Sequence, residues 1–457
     1  MDKTTRLNEE WGRILAIIEA CQDRVDPAFS TPLEEFQRRQ ILVERALAEH
    51  GFDVGIVFSD EHYCGDVPYL GGNTNVSVEQ VAGAMGPTGF HIIAGLEGGY
   101  VAEQLAPRAG AAVHKVEMLQ LADEKYPIAA ERLEDVLSDA AGKPMIQIKR
   151  IALLTPRQII PASLTEYLER LTGRKNVVDA QELYYRIKYI KSDVEMRLIR
   201  DACAVADAML RGMLAVLKPG MLETEVAAWG YFIGRQLGCE DNGFKVMCGA
   251  NEANRTLIGK ALNRPIREGD WVHLGVAPTR DGLNSCIRRS AIAIDSPAKV
   301  TARQKYWFDF IEEAYQVGYG KYVEVAAKGL PAKLQEQALV DFFESKAAEV
   351  SRRCGREIPL ASLKPYTGTH NSGYTECQEF YGAITLESEE PPGEQIVTML
   401  DVALRGFGNH WNDAIIPGLD YIVVENTLGK FGRRVETLTK LPVNVQAMVG
   451  NVGELGA

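Results

Sequence analysis

The sequence predicts an α+β chain in two parts: an α/β layer domain to about residue 180, then a larger α+β domain over roughly 185–445. Three observations predict this. In the first part, strand-like runs alternate with helical stretches. In the second, long helical stretches lie between hairpin-like runs of period two. The length of 457 residues is too great for one small module.

Residues 1–30 read as an added helix and loop, with Trp11, Ile14, Leu15 and Ile18 at helical spacing. The apolar stretch there is short and flanked by acids, so it does not read as a secretion signal. A helix follows in EEFQRRQILVERALAEHG. Phe36, Val43, Ala46 and Leu47 line one face, and Gly51 closes its C-terminus. DVGIVFS, FHIIAG, GYVAE and RIALLT read as strands, and ERLEDVLSDAA as a helix. The next boundary lies near ELYYRIKYIKSDVE. Ser192 and Glu195 make a capping-box pattern there, and Met196, Ile199, Ala202 and Ala206 continue as a helix. KPGMLETE is a break that reopens into the helix AAWGYFIGRQLG. WVHLGVAP, RRSAIAI, EQIVTMLDVAL and DYIVVEN read as strands. QKYWFDFIEEAYQVGYGKYV and AKLQEQALVDFFESKAAEV are the long helices between them. The expected divisions are an extension over 1–30, a smaller domain over 31–182 and a larger one over 183–457.

Composition narrows the function. The net charge of -12 argues against a protein that neutralises nucleic-acid phosphates. No run of ~18 apolar residues predicts a membrane helix. The eight cysteines are scattered singly, with no CxxC, as in a cytoplasmic protein with free thiols. The seven histidines are dispersed, with neither HExxH nor zinc-finger spacing. The expectation is a cytoplasmic protein with no nucleic-acid or membrane partner.

Several segments, in their order and spacing, resemble the creatinase/prolidase/aminopeptidase P family, M24. They are RRQILVERALAEHGFDVGIVFSDEHYCGDVPYLGG, DAQELYYRIKYIKSDVEMRLIRDACAVADAML, KPGMLETEVAA, REGDWVHLGVAPTRDGLNSCIRRS, GTHNSG and VVENT…ETLT. The resemblance implies a pita-bread catalytic domain over 183–457 and a creatinase-like α/β domain over 31–182. It also implies a small-molecule substrate and a homodimer.

Peptidases of that family hold two divalent ions with two Asp, one His and two Glu, a set suited to a bridging hydroxide. The resemblance places the first Asp on Gly275 and the second on Cys286. The His falls on His370 in GTHNSG. The first Glu belongs to the strand EQIVTMLDVAL, which carries no Glu and whose nearest acid is Asp401. The last Glu falls on Glu425 in ENT. Both Asp are therefore lost. Strand alternation puts residues 286 and 288 on one side, so Arg288 should point to where the ions would sit. A guanidinium stays charged and repels a divalent cation, so neither metal nor other cofactor is expected.

Creatinase, within the same family, cleaves a C–N bond without metal by imidazole acid/base chemistry. Its catalytic His lies ahead of the GD strand. This chain has CGANEANRTLIGKALNRPIREGD there, with no His, and Asn254 and Arg255 are nearest. His273 lies two residues before Gly275 on the same strand face and is the candidate replacement. The expected catalytic groups are His370, Glu425, His273 and Asp401, since His–carboxylate pairs tune a base near neutral pH. Arg288 is expected to grip a substrate carboxylate bidentately. Cys286 lines the cleft, or acts as a nucleophile with His370 as its base. His410, in RGFGNHWNDAIIPG, is placed at the cleft mouth. Tyr63, with His62 and Tyr69 in HYCGDVPYLGGNTN, is placed against substrate across a dimer interface. The plainer alternatives are core histidines, a structural ion pair for Glu425, a buried thiol at Cys286 and a surface or dimer loop around His410.

The leading function is a metal-independent, creatinase-like hydrolase of an amidino or amide C–N bond in a small polar, carboxylated compound. The alternatives are an Xaa-Pro dipeptidase or aminopeptidase with an altered metal site, a lyase on the same scaffold, and a non-catalytic binding protein.

Overall fold

The computed structural model describes residues 3–120, 129–376 and 379–444. The chain forms two compact units. One holds Ser30–Ile190 with Gly373–Tyr381, and the other holds Met1–Phe29, Lys191–Ser372 and Gly382–Ala457.

Among the described residues, the unit containing residues 30–190 is built on a six-stranded sheet. Its strands are β1 (Val54–Ser59), β2 (Val81–Gly86), β3 (Gly89–Ala94), β4 (Ala112–Lys115), β5 (Ile151–Leu153) and β6 (Val177–Asp179), in the order β4-β3-β2-β1-β5-β6. The pairs β1–β2 and β2–β3 are antiparallel, while β3–β4, β1–β5 and β5–β6 are parallel. The helix Leu33–Glu49 buries Phe36, Arg39, Val43 and Leu47, a stripe at three- and four-residue spacing. Gly51, at φ 68°, ends it in the left-handed region. GYVAE, expected as a strand, is part of the helix Leu96–Leu105. A short apolar run does not by itself distinguish strand from helix. Here the run sits within a ten-residue helix, in which a Cβ at Gly99 would lie 2.6 Å from Lys115 Cγ on β4. The missing side chain lets the helix lie close against the sheet.

Among the described residues, the other unit is built on a seven-stranded sheet. Its members are β7 (Met247–Ala250), β8 (Trp271–Val276), β11 (Ile287–Ile292), β12 (Thr369–Asn371), β13 (Gln395–Arg405), β14 (Tyr421–Phe431) and β15 (Arg434–Thr437). The short pair β9 (Thr279–Arg280) and β10 (Leu283–Asn284) lies between β8 and β11 in the chain. The sheet runs β12-β13-β14-β11-β8-β7, with β15 added on β14, and its pairs are antiparallel. The helix Asp193–Val216 begins with the expected capping box. Ser192 Oγ accepts from Glu195 N at 3.2 Å, and Ser192 N donates to Glu195 Oε2 at 2.8 Å. The helices Ala302–Lys328 and Lys333–Cys354 follow the two long helical stretches of the sequence.

The two faces of this sheet differ. Val272, Leu274 and Val276 of β8 share one core with Leu400, Val402 and Leu404 of β13 and Ile422, Val424 and Leu428 of β14. Met209, Phe308, Ile311 and Leu339 of the helices belong to the same core. Since side chains alternate along a strand, His273, Gly275, Arg288, Asp401 and Glu425 all belong to the opposite face. Among the described residues, no helix is long and apolar enough to cross a membrane.

Candidate active site

Strand register assembles the site. Gly275 on β8 is paired with Arg288 on β11, Arg288 with Glu425 on β14, and Glu425 with Asp401 on β13. One lateral row across four strands therefore reads Gly275, Arg288, Glu425, Asp401. Asp401, whose register the sequence left open, stands directly opposite Glu425. His370 enters from the neighbouring strand β12, opposite Met399, two residues from Asp401 and on the same face.

Arg288 is the hub of this row and is only 4% exposed. Its five N–H bonds are all matched. Nε donates to His273 Nε2 at 3.1 Å. Nη1 donates to Asp401 Oδ2 at 2.8 Å and Tyr366 Oη at 3.2 Å. Nη2 donates to the Leu257 carbonyl and to Tyr421 Oη, each at 2.7 Å. Leu257 holds a left-handed backbone at φ 61°, a conformation rare for leucine, and presents its carbonyl from there. Burial opposes the charge on Arg288, but Tyr366, Tyr421, Asp401 and Glu425 outweigh it and hold the guanidinium charged.

That arrangement revises two expectations. With every donor engaged by the protein, Arg288 is a fixed internal cation rather than an open bidentate grip for a substrate carboxylate. His273 is 2% exposed, and its Nε2 lone pair accepts from Arg288. Burial and the adjacent guanidinium push its pKa well below the usual histidine range. It is a neutral support for Arg288 rather than a proton-transfer group.

Glu425 and Asp401 differ although they are paired. Asp401 accepts from Arg288 and, at 3.1 Å, from Tyr366 Oη. Burial first, and then the charge of Glu425, push its pKa up to about 6 against the opposing pull of Arg288 and His370. Glu425 is 1% exposed, and neither of its carboxylate oxygens has a hydrogen bond. Arg288 Nε lies 3.6 Å from its Oε2 and His370 Nε2 3.6 Å from its Oε1. A buried carboxylate with both oxygens open is costly unless something hydrogen-bonds to it in the working state. His370 is the partly exposed member of the group, with 21% of its side chain accessible.

Among the remaining predicted residues, Cys286 reaches this group, its Sγ lying within 4.8 Å of a Glu425 carboxylate oxygen. Cys286 is buried, and its backbone N and O bond to Thr427 Oγ1 at 3.0 and 2.8 Å. His410 is exposed in the loop between β13 and β14. Arg255 holds that loop by pairing with Asp420 at 2.6 Å and donating to the Trp411 carbonyl. Asn254 braces β8 through Trp271 O and His273 N. Tyr63 and Tyr69 are buried in the unit containing residues 30–190, where the Tyr63 hydroxyl meets that of Tyr185. Cys377 lies outside the described residues.

Sequence reasoning missed three partners of Arg288. Tyr421 lies four residues before Glu425, so strand alternation places both on one face and was a usable signal. Tyr366 and the Leu257 carbonyl lie outside the strands and left no such signal.

The metal pair implied by the resemblance does not fit these residues. Gly275 offers no donor, and the stem of Arg288 fills the space above it, with Cγ 3.1 Å from where a Cβ would be. Single donor atoms of His370, Asp401 and Glu425 do lie within 4.8 Å of one another. The guanidinium, however, already bonds Asp401 and faces Glu425. At ~4 Å and an effective dielectric of ~20 it would repel each unit of added positive charge by about 4 kcal/mol.

Comparison with known proteins agrees with this architecture. The family model of metallopeptidase family M24 matches residues 197–372. The Xaa-Pro dipeptidase of Pyrococcus horikoshii is 25% identical over 260 residues, covering 56% of this chain and 70% of the relative. A putative dipeptidase of Bacillus subtilis, YkvY, is 28% identical over 156 residues, 34% of this chain and 42% of the relative. Among solved structures, the Pyrococcus horikoshii prolidase superposes with a TM-score of 0.66 at 16% identity, covering 88% of this chain and 98% of that one. The X-Pro aminopeptidase of Thermotoga maritima gives 0.69 at 17% identity, covering 90% and 99%. The fold is the α+β pita-bread architecture with its smaller N-terminal domain.

Proposed function

We propose, for a chain that belongs to the M24 creatinase/prolidase family of C–N bond hydrolases, that hydrolysis proceeds without a metal pair and by carboxylate and imidazole chemistry. The observation that carries this is Arg288, charged, buried and bonded to Asp401 in the row where the family's ions would lie. A fixed guanidinium there supplies the positive charge that lets two carboxylates sit together.

In this reading Glu425 is the general base. Its open oxygens accept a proton from a water that enters beside His370. His370, 3.6 Å from Glu425 and partly exposed, delivers a proton to the leaving nitrogen. Arg288 and His273 are positioning residues that hold the carboxylates in register. The substrate is a small compound with an amide or amidino C–N bond. Any carboxylate it carries is read by a group other than Arg288, whose donors are engaged.

A second reading, an Xaa-Pro dipeptidase with an altered metal site, draws on the dipeptidase activity for which the Pyrococcus horikoshii relative is named and on the proximity of His370, Asp401 and Glu425. Metal analysis with a substrate panel of guanidino, ureido and amide compounds and Xaa-Pro dipeptides tests the choice. The expected result is turnover that survives a chelator and is lost in His370→Ala with the fold intact. Two bound ions per chain with chelator-sensitive dipeptidase activity would overturn the proposal.

A further inference from the structure

Arg289, the neighbour of Arg288, belongs to the other face of the sheet and is fully buried. Its five N–H bonds are also all matched, and a guanidinium only donates, so their direction is fixed. Nη1 donates to two main-chain carbonyls, those of Arg288 at 2.9 Å and Glu425 at 2.6 Å. Nη2 donates to Asn426 Oδ1 at 2.9 Å and the Leu441 carbonyl at 2.7 Å, and Nε to the Pro442 carbonyl at 3.3 Å. Burial pulls its pKa down to about 10, which leaves it charged at neutral pH. Asp207, 3% exposed, takes the N–H groups of the same segment, from Lys440 at 2.6 Å and Leu441 at 3.0 Å. The Nη1 fork falls on a short seam of the sheet. Among the described residues, β11 and β14 pair at two positions, Arg288 with Glu425 and Arg289 with Val424, against six for β8 with β11 and eleven for β13 with β14. Beside those two positions side chains replace the ladder. Val423 N donates to Ser290 Oγ at 2.9 Å, and Cys286 N to Thr427 Oγ1 at 3.0 Å.

We infer that Arg289 is a positioning residue for the proposed hydrolysis: its Nη1 fork ties the main chains of Arg288 and Glu425 across the short β11–β14 seam, and so sets where the Glu425 carboxylate stands against Arg288 and His370. The inference rests on the reading of Glu425 as the general base. Charge-assisted hydrogen bonds are the stronger kind, and a seam with two main-chain pairs leaves them a large share in holding it. Anchoring the segment Lys440–Pro442 would use Nε and Nη2 alone, whereas Nη1 serves the two site residues. A buried arginine is also a costly way to fill a core position, where an apolar side chain of similar volume packs without the desolvation penalty. Placement matters here because reacting groups shifted by about 1 Å lose about 100-fold in rate. Glu425 stands 3.6 Å from both Arg288 Nε and His370 Nε2, so a small movement of β14 makes or breaks those contacts.

Full-length protein carrying ¹⁵N-labelled histidine tests this without a known substrate. The ring signals of His370, identified with His370→Ala, report the position of Glu425, 3.6 Å away. In Arg289→Gln, shown to be folded by circular dichroism, those signals should move. On the compound of the guanidino, ureido, amide and Xaa-Pro panel that the wild type turns over, kcat should fall about 100-fold with KM little changed. Asp207→Asn loosens the segment from its other side and leaves the Nη1 fork in place. It should lower the urea midpoint while keeping the wild-type kcat and His370 signals. Should Arg289→Gln fail to fold, Arg289→Lys carries the test. It keeps the charge but loses the fork, and should show the same two changes in smaller measure. Unmoved His370 signals in the folded Arg289 variant overturn the inference. So does an Asp207→Asn variant that loses kcat and shifts those signals as far as Arg289→Gln, since loosening alone would then account for both. A wild type that turns over no compound of the panel defeats the reading of Glu425 as base instead, and the His370 signals still decide whether Arg289 places that carboxylate.

Discussion

Gly275 and Arg288 stand opposite each other on β8 and β11, and a Cβ at position 275 would lie 3.1 Å from Arg288 Cγ and 3.2 Å from Met247 Sδ. The absent side chain and the long cation form one packing unit. Restoring a ligand side chain at 275 while Arg288 remains would crowd the pocket rather than rebuild a metal site.

Gly275→Ala should accordingly destabilise the protein by about 1–3 kcal/mol, the usual cost of overpacking a filled site. The same change made on top of Arg288→Ala should cost clearly less, because the colliding stem is gone. Urea unfolding of the two single variants and the double variant measures the difference. Additive costs would show that the two positions do not share their space.

Arg288→Met should cost about 3–5 kcal/mol, because it leaves two facing carboxylates, Asp401 and Glu425, buried without their shared cation. Arg288→Lys keeps the charge but loses the planar fork that reaches His273, Asp401, Tyr421 and Leu257 together. Its stability should fall between the wild type and the Met variant. Chemical denaturation orders the three proteins, and a Met variant as stable as wild type would contradict the ionic account.

Much of this site could be read from strand alternation. The two-residue spacing puts Arg288 on the face of 286 and His273 on that of 275, and the resemblance, which sets 275 and 286 at the family's ion site, brings the two together. Register was less accessible. Asp401 faces Glu425 because β13 and β14 pair along eleven residues each, a long-range match that no local pattern specifies. Hydrogen-bond satisfaction was not accessible at all. Nothing local in the sequence says that Tyr366 and the Leu257 carbonyl complete the donors of Arg288, and those two partners are what make it an internal cation instead of a substrate grip. GYVAE failed for a related reason. The five-residue run belongs to a ten-residue helix, and a short apolar window does not distinguish the two.

Stability should respond to pH through Asp401. Its folded pKa is raised from 3.8 to about 6, chiefly by burial and then by Glu425. Between about 4 and 6 the unfolded chain has released this proton while the folded chain still holds it. The folded state binds more protons there, so stability falls as pH rises through that window and levels off above it. A shift of about two units corresponds to about 3 kcal/mol. Asp401→Asn should flatten this part of the profile, whatever its effect on absolute stability. Urea midpoints at pH 4.5, 5.5 and 7, compared between the two proteins, test it.

A buried ion cluster in the unit containing residues 30–190 carries the last prediction. Lys188 Nζ lies 2.8 Å from Asp66 Oδ1 and 3.0 Å from Glu379 Oε2, and all three side chains are at most 2% exposed. Thr155 and Tyr185 donate to the other oxygen of Asp66 at 2.6 and 3.1 Å, so that carboxylate is held on both sides. Lys188 thereby joins the helix Gln181–Tyr189 to the segment Gly373–Tyr381 within one unit. Removing the ammonium in Lys188→Met strands two buried carboxylates. The cost should be about 3–5 kcal/mol. Replacing all three as Lys188→Met, Asp66→Asn and Glu379→Gln removes the uncompensated charge and should recover part of that loss. Thermal and urea unfolding of the single and triple variants decide the point. A triple variant no more stable than Lys188→Met would show that packing around the lysine stem, rather than charge pairing, holds this cluster together.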